Sequence, residues 1–250
     1  MPILRMNYFS HVLELTTTCS IILPQKLNAE PVPVLYLLHG YSDNDEAWLL
    51  NSRIAKLVEE LNLAVVMPHG YNGYYTDSVS GFKIYSYLTK ELFPYLDQLF
   101  HFSQKPAERY LAGLSMGGYG AFKLGLRQKN RYGKVYSLSG ALDIGALYEE
   151  GFKRVQQFLP LFGDKDDFLN SENNLLKLVT EQADQDVTTE FIMTCGRQDF
   201  LFENNNGFYA ATQALLPLRY RVFDGAHDWA FWDSQIEQVV NEIKKDQDNG

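Results

Sequence analysis

Residues 110–124 read YLAGLSMGGYGAFKL, and this segment gives the clearest prediction of the fold. The apolar run Tyr110–Ala112 predicts a buried strand, and Gly118–Leu124 predicts the start of a helix. Between them, Gly113–Gly117 has the pattern G-x-S-x-G. Between a strand and a helix this pattern is typical of a tight, strained turn, in which side chains at the glycine positions would collide with neighbouring backbone. Such a turn would present the Ser115 hydroxyl at the end of a sheet.

Further apolar runs with the length of buried strands stand on both sides of this turn. They are Val34–Leu38, Ala64–Met67, Val135–Leu138, Phe191–Cys195 and Tyr220–Phe223. Amphipathic helical spacing fills much of the sequence between them. This alternation predicts an α/β fold, with a mostly parallel central sheet and helices on both of its faces. Functional residues are then expected at the carboxyl ends of the strands.

Two helices and a hairpin complete the predicted architecture. Apolar residues recur at helical intervals over Ala47–Leu61 and over Ile84–Leu99, where Pro94 should kink or divide the helix. The residues from Met6 to Leu23 are rich in β-branched and aromatic types, which predicts an antiparallel N-terminal hairpin at a sheet edge.

The length of the chain favours one domain over residues 1–250. Segment 141–187 interrupts the alternation of strands and helices. It is equally compatible with a small cap insertion and with an ordinary helix and loop packed on the sheet.

Charge and cysteine content exclude several classes of protein. A formal net charge of −9 argues against a nucleic-acid or anionic-membrane partner, because these surfaces attract basic patches. The chain has no run of about 18 apolar residues and no leader pattern, so we expect a cytoplasmic protein without a membrane span. Cys19 and Cys195 lie far apart in sequence and do not indicate a disulfide framework.

A serine hydroxyl is a weak nucleophile, so Ser115 needs a histidine as general base and a carboxylate to orient that histidine. In this type of fold the order along the chain is Ser, then Asp or Glu, then His. His227 is the only histidine after Ser115, and it follows the last predicted strand. Asp199 follows the strand Phe191–Cys195 and is therefore the preferred acid.

Other carboxylates are less suitable as the acid. Asp224 and Asp228 stand too near His227 in sequence to orient it easily from a separate loop, and Glu203 and Asp143 remain as weaker substitutes.

Stabilising the oxyanion of a tetrahedral intermediate takes two backbone donors aimed at one point. The amide of Met116, directly after Ser115, is the first candidate. The amide of Tyr41, in the loop after Val34–Leu38, is the second. His39 precedes the nucleophile in the chain and is interpreted as structural.

The sequence resembles the esterase D-like family of the α/β-hydrolase fold, and within it the bacterial tributyrin esterases and related feruloyl (cinnamoyl) esterases. The resemblance spans nearly the whole chain. It rests on the segments 37–40, 113–120, 195–201 and 225–232, together with Trp48. It implies a short-chain acyl esterase with a catalytic triad of Ser115, Asp199 and His227, with Tyr41 and Met116 as oxyanion donors. It also implies a small-molecule ester substrate, no metal and no organic cofactor.

Several alternatives stay open at this stage. The same acyl-serine could form from a thioester, as in S-formylglutathione hydrolases, or be released to an alcohol, as in mycolyltransferases. A non-catalytic binding scaffold is a further reading, which the presence of every required residue type disfavours. The aromatic residues Tyr71, Tyr74 and Tyr75 would line a substrate pocket or fill a core. The sequence leaves homo-oligomer formation open.

Overall fold

The computed structural model describes residues 1–26, 30–149, 155–183 and 185–249. In this part of the chain, eight strands form one sheet in the order β1-β2-β4-β3-β5-β6-β7-β8. The strands are β1 Ile3–Ser10, β2 Leu15–Ile22, β3 Val34–Leu38, β4 Ala64–Pro68, β5 Arg109–Leu114, β6 Lys134–Leu138, β7 Glu190–Gly196 and β8 Leu218–Phe223.

The direction of the strands follows the prediction. β1 and β2 form an antiparallel hairpin, and β2 pairs antiparallel with β4. All the other neighbours are parallel, from β4 and β3 through to β8. Because β3 and β5 pair in register, Leu38 lies opposite Gly113, and the loops that follow these two strands leave the sheet side by side.

Helices cover both faces of the sheet. They are α1 Ala47–Asn51, α2 Ile54–Leu57, α3 Ile84–Ser86, α4 Phe93–Leu99, α5 Met116–Arg127, α6 Ile144–Glu149, α7 Val155–Phe162, α8 Lys165–Asn170, α9 Leu175–Gln182, α10 Phe202–Thr212 and α11 Trp229–Asn249. One face is packed by α1, α2 and α11 through residues such as Trp48, Ile54 and Ile236. The other face is packed by α3, α4, α5, α9 and α10.

The single helix predicted over Ala47–Leu61 is wrong, because the chain breaks into α1 and α2. Ser52 has an extended backbone, with φ −136° and ψ 169°, and its hydroxyl donates to the Trp48 carbonyl at 2.6 Å. The next amide, that of Arg53, donates to the Asp233 carboxylate of α11 at 2.7 Å. These side chains satisfy backbone groups that a continuous helix would have paired internally.

Pro94 does not divide the second predicted helix. A π-helical segment, Tyr87–Leu92, joins α3 to α4, and Pro94 stands in the first turn of α4. Residues Leu92 and Phe93 keep helical dihedral angles. A proline is tolerated in the first turn of an α-helix, where its missing N–H would have no partner within that helix.

Segment 141–187 forms α6 to α9 between β6 and β7, and residues 150–154 and 184 within it lie outside the described residues. The end of α7 is joined to the loop before α3, since the amides of Val79 and Ser80 donate to carbonyls of α7. Cys19 and Cys195 are both free and buried. Of the helices described, none has the length and apolar character required to cross a membrane.

Candidate active site

Ser115 stands at the turn from β5 into α5 with φ 52° and ψ −116°, a conformation that is rare for a residue with a side chain. The flanking glycines allow it. A Cβ atom on Gly113 would lie 2.3 Å from the Gly117 carbonyl oxygen, and one on Gly117 would lie 2.5 Å from the Leu38 carbonyl oxygen. The backbone is therefore packed too closely here for any other residue type, and Ser115 remains partly accessible.

Both peptide groups of Ser115 are bonded to the turn after β6. The Ser115 amide donates to the Leu138 carbonyl at 2.9 Å, and the Ser115 carbonyl accepts from the Ala141 amide at 3.3 Å. This neighbouring turn is itself strained, because Ser139 has φ 52°. The two turns thus hold each other in their unusual conformations.

The structure brings Ser115, His227 and Asp199 together in one line of hydrogen bonds. The Ser115 hydroxyl lies 3.0 Å from Nε2 of His227. Nδ1 of His227 lies 2.9 Å from each carboxylate oxygen of Asp199. These three residues come from the loops after β5, β8 and β7, which open at the same edge of the sheet.

The three side chains differ in their exposure to solvent. The His227 side chain is 15% exposed, whereas the Asp199 side chain is fully buried. Asp199 also accepts a hydrogen bond at 2.8 Å from the Leu201 amide, so its carboxylate is satisfied without water. His227 is therefore accessible to a substrate, whereas the Asp199 carboxylate is shielded from solvent.

Two aromatic rings flank the imidazole of His227. Phe200 lies 4.4 Å from it between ring centroids, and Trp232 lies edge-on at 4.9 Å. Both residues belong to the segments that carry the family resemblance, and no role was predicted for them. Their positions beside Asp199 and His227 in the sequence were the available signal.

The alternative carboxylates are engaged elsewhere. Asp143 accepts from the Ala146 amide at the start of α6, and Asp228 accepts from the Phe231 amide at the start of α11. Asp224 is exposed and forms an ion pair with Arg197, and Glu203 is exposed on α10. Of these five carboxylates, that of Asp199 is the one hydrogen-bonded to the His227 imidazole.

The two candidate oxyanion donors stand in adjacent loops. Met116 is the first residue of α5, where an amide has no partner within its own helix. Tyr41 follows Gly40, whose Cα packs so closely on Leu114 that a Cβ there would lie 2.4 Å from that side chain. The loop that carries Tyr41 is therefore pressed against the residue before Ser115.

His39 is buried and ties two loops together. Its Nδ1 donates to the Gly40 carbonyl at 2.7 Å, and its Nε2 accepts from the Gly70 amide at 2.8 Å. This arrangement requires a neutral ring, and burial accordingly lowers the pKa of His39 to about 4. These contacts agree with the structural role that was predicted for it.

The predicted aromatic residues divide between a groove and the core. Tyr74 and Tyr75 are buried, with Tyr74 packed among Tyr41, Tyr119 and other rings. Tyr71 instead lines an open groove of about 420 Å³. Ser42 also lines this groove, so the groove adjoins the loop that carries the candidate oxyanion donor Tyr41.

No group of three or more His, Cys, Asp or Glu side chains that could hold a metal ion comes together within the described ranges.

The family model named "Putative esterase" matches residues 10–243. The chain belongs to this esterase family. An acetyl esterase of Caldicellulosiruptor saccharolyticus is 30% identical over 263 aligned positions, which cover 98% of this chain and 99% of that protein. These matches confirm two predictions, that the chain belongs to an esterase family and that it is a carboxylic ester hydrolase.

Solved structures agree with the fold. The substrate-bound fluorophosphonate-binding serine hydrolase F of Staphylococcus aureus superposes with a TM-score of 0.89 at 25% identity, over 97% of this chain and 98% of that one. A ferulic acid esterase superposes with a TM-score of 0.82 at 26% identity, over 98% of each chain. The predicted α/β-hydrolase fold is confirmed, and the prediction of a serine esterase agrees with both neighbours.

Proposed function

We propose that the protein is a carboxylesterase that hydrolyses short-chain acyl esters through an acyl-serine intermediate. Ser115 is the nucleophile, His227 the general base and acid, and Asp199 the residue that orients His227. One observation carries this proposal, namely the continuous line of hydrogen bonds from the Asp199 carboxylate through His227 to the Ser115 hydroxyl, at 2.9 and 3.0 Å.

The first half of the reaction acylates the enzyme. The Ser115 oxygen attacks the ester carbonyl carbon while Nε2 of His227 accepts the hydroxyl proton. The resulting oxyanion is stabilised by the amides of Met116 and Tyr41. When the tetrahedral intermediate collapses, the bond from carbon to alkoxy oxygen breaks, and His227 returns the proton to the departing alcohol. Asp199 stays ionised and keeps the protonated imidazole in place.

The second half regenerates the enzyme with water. His227 accepts a proton from a water molecule, whose oxygen attacks the acyl carbon. The second oxyanion uses the same two amides. Collapse releases the carboxylic acid and returns the proton to Ser115, so the cycle needs no cofactor.

A short acyl group is favoured by the relative named acetyl esterase, which matches nearly the whole chain. The neighbour named ferulic acid esterase makes an aromatic acyl group the alternative. We infer that both chemistries would use the same three residues, so only the acyl preference separates them.

We also infer the setting in which the enzyme works. The net charge of −9 supports a small-molecule ester rather than nucleic acid as its partner. We propose the cytoplasm as its location. We treat residues 1–250 as one α/β-hydrolase domain, to which segment 141–187 contributes a small cap or part of the helical layer.

Hydrolysis of p-nitrophenyl esters from acetate to decanoate, with methyl ferulate alongside, tests the proposal in wild type and Ser115→Ala. We expect activity highest at acetate or butyrate, and a loss on the order of 10⁵-fold or more in kcat in the variant. Near-normal turnover by Ser115→Ala would remove Ser115 from the mechanism. A preference for ferulate would replace the short-chain substrate, and activity only on thioesters, or transfer to added alcohols, would replace hydrolysis of esters.

A further inference from the structure

The Asn205 side chain on α10 bridges two carbonyls that belong to different loops of the candidate active site. Asn205 is completely buried. Its Nδ2 donates to the Gly140 carbonyl and to the Leu201 carbonyl, each at 2.9 Å. Its Oδ1 has no hydrogen-bond partner within the described residues. The Asn205 side chain therefore acts only as a hydrogen-bond donor.

The first acceptor belongs to the turn that holds the nucleophile. Gly140 lies between Leu138, whose carbonyl accepts from the Ser115 amide, and Ala141, whose amide donates to the Ser115 carbonyl. A shift of Gly140 would move both of these bonds. Since Ser115 has the strained φ of 52°, its conformation depends on such external support.

The second acceptor belongs to the loop that holds the acid. The Leu201 amide donates to Oδ1 of Asp199 at 2.8 Å, while the Leu201 carbonyl accepts from Asn205. One side-chain amide is thus two hydrogen bonds away from the Asp199 carboxylate and lies beside the turn that holds Ser115.

We propose that Asn205 is a positioning residue. It fixes the turn around Ser115, the nucleophile turn, relative to the loop around Asp199, the acid loop, and so sets the distance between the two side chains that His227 bridges. This inference rests on the proposed function. Its physical basis is that small displacements of reacting groups are costly for rate even when substrate binding is unchanged.

The chain offers a matched control in the preceding residue. Asn204 is also buried on α10, at 6% exposure, and its side chain also makes two bonds to the loop after β6. Both bonds go to the backbone of Asp143, at 2.7 and 3.2 Å, and Asp143 makes no contact with Ser115 or His227. Loss of either asparagine removes two bonds, but only Asn205 joins the two catalytic loops.

The test compares Asn205→Ala and Asn204→Ala for kcat and KM on the best p-nitrophenyl ester, and for the rate of labelling by a fluorophosphonate. We expect Asn205→Ala to lower kcat and the labelling rate by about 10-fold to 100-fold, with KM within about 2-fold of wild type. Asn204→Ala should keep kcat within about 2-fold. A purely structural role would lower the melting temperature of both variants without this difference in kcat.

A second variant, Asn205→Leu, keeps a side chain of similar size that has no hydrogen-bond donor. It should lose kcat as Asn205→Ala does, and it serves in place of that variant if the alanine leaves a protein that does not fold. Folded Asn205 variants with kcat within 2-fold of wild type would overturn the inference, as would an equal loss in Asn204→Ala. Either result, obtained while Ser115→Ala is inactive, would leave the proposed function standing.

Discussion

The nucleophile turn and the acid loop lie at the same edge of the sheet but are held by different means. Around Ser115 the backbone is fixed by close packing, since Gly113 and Gly117 approach other backbone atoms within distances that exclude a Cβ. The loop that carries Asp199 is packed as closely only where it begins, since a Cβ on Gly196 would lie 2.1 Å from the Gly225 carbonyl oxygen. Beyond Gly196 it is held by backbone hydrogen bonds and by those of the Asp199 and Asn205 side chains. The region around Ser115 thus requires glycine on both sides of the serine, whereas the region around Asp199 also requires particular polar side chains.

This difference determines how each region should respond to substitution. Packing against backbone tolerates no added atom, so the nucleophile turn should fail when a single methyl group is introduced. A hydrogen-bonded loop fails instead when one donor is lost, and a methyl group on a nearby open surface should do no harm. Substitutions of glycine in the two regions separate these cases.

The largest effect on this contrast is expected from Gly117→Ala. The new Cβ would lie 2.5 Å from the Leu38 carbonyl oxygen and 2.7 Å from that of His39, and neither atom belongs to a flexible side chain. We expect a loss of about 1–3 kcal/mol in the free energy of unfolding. We also expect kcat to fall on the order of 100-fold, because Ser115 is displaced. Urea denaturation and ester hydrolysis measure the two effects.

Gly207→Ala is the matched control in α10, the helix that follows the acid loop. Gly207 lies within α10, and a Cβ there would meet no atom within 4 Å. Alanine should stabilise the helix by about 0.5–1 kcal/mol and leave kcat unchanged. If both glycine variants lost stability equally, close packing would not be what distinguishes the nucleophile turn.

The loop beside the nucleophile turn should also make stability depend on pH. Burial lowers the pKa of His39 to about 4 from an ordinary value of 6.5. Between these values the unfolded chain binds a proton that the folded protein does not bind, so folding becomes less favourable as pH falls. The contribution of His39 to the free energy of unfolding is fully present above pH 6.5. About 3 kcal/mol is lost as pH falls from 6.5 through 4.

His39→Gln isolates this contribution, because glutamine keeps an acceptor for the Gly70 amide but does not titrate. Urea denaturation at pH 7, 6 and 5 should show wild type losing more stability than the variant as pH falls. Parallel losses in the two proteins would mean that His39 does not titrate as its burial requires.

Much of the fold was predictable because the strands are short apolar runs with clear ends. The two departures, the break after α1 and the π segment before Pro94, have no signal in the apolar spacing. The break after α1 depends on Asp233, which stands far away in the sequence and binds the Arg53 amide. The π segment Tyr87–Leu92 has apolar residues at the same intervals as an ordinary helix, so the sequence does not distinguish the two.

The candidate site was predictable where a local pattern encodes it. Ser115 stands in a motif, and His227 is the only histidine that follows it. Asn205 was missed because its role depends on two carbonyls that only the fold brings together. A signal was present nonetheless, since three successive asparagines, Asn204 to Asn206, stand inside a helix that asparagine does not favour.

Ser115 and His227 should act as one catalytic unit, and this coupling is measured by a double-mutant comparison. We would measure kcat on p-nitrophenyl acetate for Ser115→Ala, His227→Ala and the double variant. We expect each single change to lower kcat on the order of 10⁵-fold or more, and the double variant to be no slower than either single variant. Losses that multiply in the double variant, or near-normal turnover by His227→Ala, would contradict it.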